Sequence, residues 1–286
     1  MSVRVARSRE LVAAGRRPAV VARVAGVSRQ AIYRTPKPRR PLQRRPPRGP
    51  VDEAIVEVAK DNPTDGTRMV AALTSRRLGR PVNRKRAQRV MREQRLLQRH
   101  RPSGRRRRPG FFRVERPDQL WHLDLSSVWV AEHGCCYLQA AIDCCTREIV
   151  GGSLELRCRT QEATALVEQA TIARGIEPGC LTLATDNGSA FTSRAFRARL
   201  GELGVTHRRG GYRDPESQAF IESWFGKLKH RLVWRSEFET LDQAREEITS
   251  YIETYHHRPH SGLRYHTPAE VRQTWEDGQR LAKTAA

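Results

Sequence analysis

The sequence predicts an α/β domain with a mixed sheet flanked by helices, preceded by all-α units. The charge segregates along the chain: residues 1–116 hold 33 Lys and Arg against 8 Asp and Glu, whereas residues 117–286 hold 20 against 23. Segments that alternate apolar and polar residues, which is typical of strands, begin at Trp121. From about residue 160 onward helix-like and strand-like segments alternate, which is typical of a sheet covered by helices.

Residues 1–34 show the pattern of a helix-turn-helix. A short helical segment ends at Gly26, which suits a turn, and Ser28 is a favourable N-cap for a second helix. In a helix-turn-helix the start of the second helix contacts DNA bases, so Arg29 and Gln30 are candidate DNA-binding residues. An ordinary helical hairpin would have the same pattern.

A second helical unit is predicted over residues 51–98, between two basic linkers. The first linker, residues 35–50, is rich in proline and arginine and is expected to be extended. The second, residues 99–116, is a basic tether that contains Arg105, Arg106, Arg107 and Arg108. The last helix of the unit carries its own basic series, which includes Arg84, Lys85, Arg86 and Arg89. Helices so basic usually lie against phosphates, so both basic series are candidate DNA contacts.

Residues 117–235 are expected to form the α/β domain, and residues 236–286 a helical tail. The predicted strands and helices, in order, are strands Trp121–Ser126, Cys135–Ile142 and Glu148–Leu156, helix Thr160–Arg174, strand Leu181–Asp186, helix Ser193–Leu203, strand Val205–Arg208, and a helix from Asp214 that contains Glu222. Three antiparallel strands followed by alternating helix and strand is the order of a ribonuclease-H-like sheet.

Three acidic residues stand at distinctive places in this pattern. Asp124 faces away from the apolar side of the first strand, and Asp186 ends a later strand. Glu222 lies beside the apolar stripe of its helix, and 35 residues separate it from Asp186. Three carboxylates brought together would offer hard oxygen ligands to two Mg²⁺ ions, and Mn²⁺ is expected to substitute.

The composition and net charge indicate which kinds of molecule the protein binds. The net charge is +22, and residues 1–116 alone carry +25, which indicates a phosphate backbone as the partner. No apolar run reaches the length of a membrane span, and the N-terminus has no signal-peptide core. We therefore expect a cytoplasmic, nucleoid-associated protein with no membrane partner.

Several motifs together resemble one family. They are Trp121-His-Leu-Asp124, Thr185-Asp186-Asn-Gly-Ser189 and Ile221-Glu222-Ser-Trp-Phe-Gly-Lys-Leu-Lys229, with Asn62-Pro-Thr-Asp-Gly66 upstream and Tyr255-His-His-Arg-Pro-His260-Ser-Gly-Leu263 downstream. This set resembles the bacterial insertion-sequence transposases with a retroviral-integrase-like DDE core, and more narrowly their second-frame (OrfB-type) subunit. The resemblance covers residues 51–272. The chain departs from the family between Tyr212 and Ala219, where the usual Ser-plus-Asp-Asn-Ala pattern is missing.

The resemblance implies a DNA transposase that cleaves strands and transfers them without a covalent enzyme intermediate. It implies that Asp124, Asp186 and Glu222 are the catalytic, metal-binding acids, and that Lys229 contacts the substrate phosphate. Double-stranded DNA is the implied partner, as element ends and as target, bound by a homo-oligomer. A separate upstream-frame partner protein is a further expectation.

Two other functions remain open at this point. The chain could be a catalytically silent or domesticated DNA-binding regulator that has kept the core. It could also be a nuclease for RNA–DNA hybrids, although that function explains the two helical units poorly. The intact set of three acids favours the transposase, because drift would be expected to remove at least one carboxylate.

Overall fold

The computed structural model describes residues 3–34, 49–98, 114–210 and 218–284. The chain divides into two compact units, Met1–Pro47 and Arg48–Ala286. None of the helices in the described ranges combines the length and the apolar character that a membrane span needs.

The first unit contains three helices: α1 (Val3–Ala13), α2 (Pro18–Ala25) and α3 (Arg29–Tyr33). Gly26 ends α2 in the left-handed conformation, with φ of 62°, which glycine adopts without steric cost. The Ser28 side chain accepts the backbone N–H of Ala31 at 3.2 Å and so caps α3. A small apolar cluster that includes Val21 and Ile32 holds the helices together. The helix, glycine turn and cap agree with the predicted pattern.

The second unit begins with a helical module, α4 (Pro50–Asp61), α5 (Thr67–Leu78) and α6 (Arg84–Glu93). Its apolar cluster, centred on Ile55, Val70 and Val90, is formed by side chains of residues 51–97. The predicted break at Asn62–Gly66 is the turn between α4 and α5.

The second unit continues with a five-stranded mixed sheet. Its strands are β1 (Leu120–Val130), β2 (Gly134–Asp143), β3 (Ile149–Glu155), β4 (Thr182–Thr185) and β5 (Thr206–Arg209). They lie in the order β3-β2-β1-β4-β5. The β1–β2 and β2–β3 pairs are antiparallel, and the β1–β4 and β4–β5 pairs are parallel. The predicted antiparallel meander and the ribonuclease-H-like strand order are thereby confirmed.

Helices cover both faces of the sheet, because each face is lined by alternate residues of the strands. The remaining elements are α7 (Thr160–Arg174), α8 (Ser189–Thr192), α9 (Arg194–Glu202), α10 (Ala219–Leu228), a π-helical turn (Lys229–Val233), α11 (Leu241–His256), a 3₁₀ turn (Ser261–Leu263) and α12 (Pro268–Thr284). Trp121 and Leu123 of β1 belong to the cluster with α7 and α9. Val128 and Val130 belong to the other cluster, with α10 and α11.

The helix α10 buries the predicted stripe. Ile221, Trp224, Phe225 and Leu228 are buried, and Leu232 packs against the same cluster from the π-helical turn. The predicted start of this helix at Asp214 lies outside the described residues, which resume at Gln218.

Candidate active site

Asp124 and Asp186 lie side by side on neighbouring strands. The parallel register of β1 and β4 pairs Leu123 with Thr185; Asp124 is the next residue of β1, and Asp186 directly follows the end of β4. Neighbouring strands are about 4.8 Å apart, so the register places the two backbones at that spacing. Asp124 points away from the Trp121 and Leu123 side, as the alternation of the strand predicts.

The turn after Asp186 requires a small residue at position 188, where the sequence has Gly188. The Asp186 carboxylate accepts the backbone N–H of Gly188 at 2.8 Å, which fixes the side chain at the strand end. A Cβ atom at position 188 would lie 3.0 Å from that same carboxylate oxygen, so a larger residue would disturb it. Asp186 itself is exposed.

Glu222 is brought to the aspartates by α10. It lies in the first turn of that helix and is exposed, whereas its neighbour Ile221 is fully buried against the sheet. The Phe220 ring stacks on His122 of β1, with centroids 5.8 Å apart. The guanidinium carbon of Arg147 lies 3.2 Å from the Phe220 ring centroid, a cation–π contact. These contacts hold the start of α10 against β1, beside Asp124.

The pKa of Asp124 is shifted by its burial and by the nearby charges of Asp186, Glu222 and Lys229. It is raised to about 6, first because the carboxyl group is largely buried and then because the charges of Asp186 and Glu222 oppose ionisation. The backbone N–H of Leu125 and the charge of Lys229 act in the opposite direction. The structure therefore brings together four of the predicted residues: Asp124, Asp186, Glu222 and Lys229.

The three acids fit a divalent cation by their chemistry. A buried carboxyl group whose pKa is raised by two other carboxylates is a place where a bound cation would relieve repulsion. As the side chains are arranged, no group of three or more His, Cys, Asp and Glu within the described ranges is close enough together to enclose a metal ion.

A cavity of about 460 Å³ opens beside Asp186. Its lining includes Tyr137, Phe191, Arg157 and Arg159, so apolar and basic groups meet next to the acid. Sequence analysis did not select these two arginines. The signal was an Arg-x-Arg pair just beyond the end of β3.

Two other polar residues near the site have structural roles. Asp143 accepts the backbone N–H groups of Asp118, Cys145 and Thr146 at 2.6, 2.7 and 2.7 Å, so it organises the turn after β2. His122 is buried, and its pKa is lowered to about 4, first by burial and then by the charges of Arg147 and Arg208. It is therefore neutral near pH 7.

The structure places the predicted DNA-binding residues in three different situations. Arg29 and Gln30 are exposed at the start of α3, and Arg84 and Lys85 are exposed at the start of α6. Arg105, Arg106, Arg107 and Arg108 lie outside the described residues.

Arg86 and Arg89 are the third case, because both bind an acid within the helical module. They contact the two carboxylate oxygens of buried Asp52 at 2.5 and 3.2 Å. Their guanidinium groups thus hold α6 against α4.

Comparison with known proteins identifies the domain to which this part of the chain belongs. Two models described as "Integrase core domain" match residues 114–215 and 203–268, which together are more than half of the chain. A relative named as the transposase for insertion sequence element IS904 of Lactococcus lactis is 34% identical over 56% of this chain. The chain belongs to the integrase-core family of insertion-sequence transposases.

Another relative aligns with more of the chain. An uncharacterized 31.7 kDa protein of insertion element IS407 from Burkholderia multivorans is 29% identical over 87% of both chains. The present chain spans 63% of the length of the IS904 relative. A solved structure, the HTLV-2 integrase catalytic core domain in complex with magnesium, aligns with 54% of this chain and 96% of its own at 18% identity, with a TM-score of 0.43.

Proposed function

We propose that this protein is a metal-dependent DNA transposase, which cuts DNA at the ends of a mobile element and joins those ends to target DNA. The observation that carries the proposal is the convergence of Asp186, Glu222 and Lys229 on Asp124, at the centre of an integrase-core sheet. Two Mg²⁺ ions, which Mn²⁺ would replace, would activate the attacking water or 3′-hydroxyl and stabilise the leaving 3′ oxygen.

The protein side chains have separate tasks in this proposal. Asp124 and Asp186, on adjacent strands, would hold both ions, and Glu222 would complete the ligands of one of them. Lys229 would contact the phosphate that is cut. The sheet and the Phe220 contacts hold the backbone segments that carry the three acids next to one another.

DNA is the partner that the charge distribution supports. The exposed residues Arg29, Gln30, Arg84 and Lys85 would contact DNA outside the active site, and so would the Arg105–Arg108 tether. Arg86 and Arg89 would position α6 through Asp52 and present their outer edges to phosphate. Because cutting and joining two element ends requires two sites, we propose a homo-oligomer on DNA, with an upstream-frame partner protein as a further component.

The alternative of a silent DNA-binding regulator is less favoured. DNA binding alone does not require a buried, electrostatically costly carboxyl group such as that of Asp124 beside two more acids, whereas such groups are typical of catalytic sites. The family matches also name transposases.

Strand transfer tests the proposal. A labelled DNA fragment that carries the element's terminal repeat is incubated with the protein and Mg²⁺ or Mn²⁺, with the partner protein supplied. Asp186→Asn keeps the side-chain shape and removes a metal-binding charge, and Asp242→Asn is the matched control, since Asp242 is an exposed acid on α11.

We expect joined products with the native protein and with the control, and none with Asp186→Asn. DNA binding without cutting by every variant would favour the regulator. Activity that survives in Asp186→Asn would mean that other carboxylates hold the metal.

A further inference from the structure

The helical module is joined to the catalytic part of the second unit by a buried acid. Asp65 lies in the turn between α4 and α5, and only 2% of its side chain is exposed. Arg231 binds one carboxylate oxygen at 2.7 Å, and Arg258 binds the other. A buried carboxylate is costly unless it is paired and hydrogen-bonded, so these two arginines are what makes the position of Asp65 favourable.

Further polar contacts follow the same boundary. Arg258 also donates to the side-chain oxygen of Asn62 at 2.7 Å. Elsewhere, Arg76 of α5 donates two hydrogen bonds of 2.6 Å to Glu270 of α12 and one of 3.1 Å to the backbone oxygen of Tyr265. The Arg76 and Glu270 side chains are about two-fifths exposed, so this pair contributes less than the buried Asp65 cluster.

The contacts between the helical module and the catalytic part are polar, and polar contacts fix the orientation of one part relative to the other. The apolar cluster of the helical module consists of residues 51–97, and the cluster beneath α10 consists of residues 128–255. The two clusters are separate, so the module does not share an apolar core with the catalytic sheet. Directional ion pairs with fixed oxygen partners allow one orientation, whereas an apolar contact would permit sliding.

The arginine that binds Asp65 is part of the catalytic helix. Arg231 lies in the π-helical turn that continues α10 without a break after Leu228. Lys229, two residues earlier in the same turn, is the cation whose charge acts on Asp124. The turn therefore carries one side chain to the active-site acids and another to the helical module. π-helical turns of this kind occur frequently at functional sites.

We propose that Asp65 is a positioning residue: it holds the helical module, and the DNA bound along α6, in a fixed register relative to Glu222. The inference rests on the proposed transposase function. Arg84 and Lys85 of α6 are exposed and available to phosphate. A phosphodiester bound to them is then presented to the three acids at one position, rather than at a range of positions.

The test compares Asp65→Asn with a matched control in the same module. Asp65→Asn keeps the side-chain shape and removes the charge that two arginines share. The control is Glu57→Gln, which breaks the exposed ion pair of Glu57 with Arg77 inside the module, at 2.6 Å, without affecting the junction. Labelled terminal-repeat DNA reports the affinity, the rate of cutting and the nucleotide at which each variant cuts.

We expect Asp65→Asn to bind DNA as the native protein does, because the α6 contacts remain. Cutting at the native position should fall by about a hundredfold, the effect of misplacing a substrate by about 1 Å, and the cuts should spread to neighbouring nucleotides. Glu57→Gln should cut at the native position at the native rate. A single, unshifted cut by Asp65→Asn, or an affinity that falls in the same ratio as the rate, would overturn the proposal.

Two further measurements separate this proposal from the proposed function and from misfolding. Hydrogen exchange without DNA should be faster throughout α4–α6 in Asp65→Asn than in Glu57→Gln, and this holds even if the protein cuts no DNA. Unchanged exchange would show that Asp65 does not hold the module. The double variant Asp65→Asn with Arg231→Gln should be no worse than Asp65→Asn alone, because Asp65→Asn already removes the charge that Arg231 binds, and additive losses would contradict the assignment.

Discussion

Replacing Asp124 by Asn should make the metal-free protein more stable at neutral pH while it abolishes activity. The pKa of Asp124 is raised from 3.8 to about 6, chiefly by burial and then by Asp186 and Glu222. One pKa unit corresponds to about 1.4 kcal/mol, so the ionised carboxylate costs about 3 kcal/mol of unfolding free energy. Asn keeps the shape without that charge, so we expect the variant to gain about 1–3 kcal/mol at pH 7.5.

The pH dependence of the gain follows from the direction of the shift. The folded state holds its proton up to about pH 6, whereas the unfolded state releases it near pH 3.8. Native stability therefore falls as pH rises from about 4 to about 6 and stays level above that range. The advantage of Asp124→Asn should be under about 1 kcal/mol at pH 4, where the folded state is protonated and the unfolded state has only just begun to favour the ionised form.

Urea denaturation in EDTA at pH 4 and pH 7.5 measures both quantities, with Asp242→Asn as the control for removal of an exposed carboxylate. Added Mg²⁺ should stabilise the native protein at pH 7.5 more than it stabilises Asp124→Asn. If Asp124→Asn is less stable than the native protein at pH 7.5, or if its advantage is as large at pH 4, the electrostatic account of this site is wrong.

Three other changes probe the site and the fold. Loss of a group that supports a metal ligand costs roughly 10–100-fold in activity. Because Glu222 itself is proposed to bind the metal, Glu222→Gln should reduce strand transfer by more than that, with DNA affinity in a filter-binding assay unchanged. Lys229→Met should move the acid limb of the pH–rate profile to higher pH, because the Lys229 ammonium lowers the pKa of Asp124; a limb that stays in place would contradict their interaction. Gly204→Ala should lower the urea midpoint and cost about 2–4 kcal/mol, since Gly204 has φ of +66° and a Cβ there would lie 2.5 Å from the Cβ of Pro178; an equally stable variant would show that this turn relaxes freely.

Local patterns predicted most of the elements. The helix over Thr160–Arg174 has the predicted bounds, and the strand ending at Thr185 leaves Asp186 at its carboxyl end as expected. The Ser28 cap and the Gly26 turn also follow from short-range chemistry. These features depend on residues within a few positions of each other, so the sequence contains the information directly.

Less of the active site than of the secondary structure could be predicted from the sequence. The alternation of β1 put Asp124 on the face away from Trp121, and the stripe of α10 left Glu222 beside the buried face. Only the β1–β4 register, however, places Asp124 beside Asp186. The Arg157 and Arg159 cavity also required the fold, because its walls come from four separate segments.

The sequence by itself determined the kind of protein: a basic, helical front, an α/β core and three acids in the order of an integrase-like site. Only the tertiary structure decided how the charges are used. Arg86 and Arg89 look equivalent to Arg84 in the sequence, yet they bind buried Asp52. Asp65 looks like a turn residue, yet it joins the helical module to the catalytic helix through Arg231 and Arg258. Partners 34 to 193 residues apart leave no local pattern, because ion pairs across a fold depend on which surfaces meet.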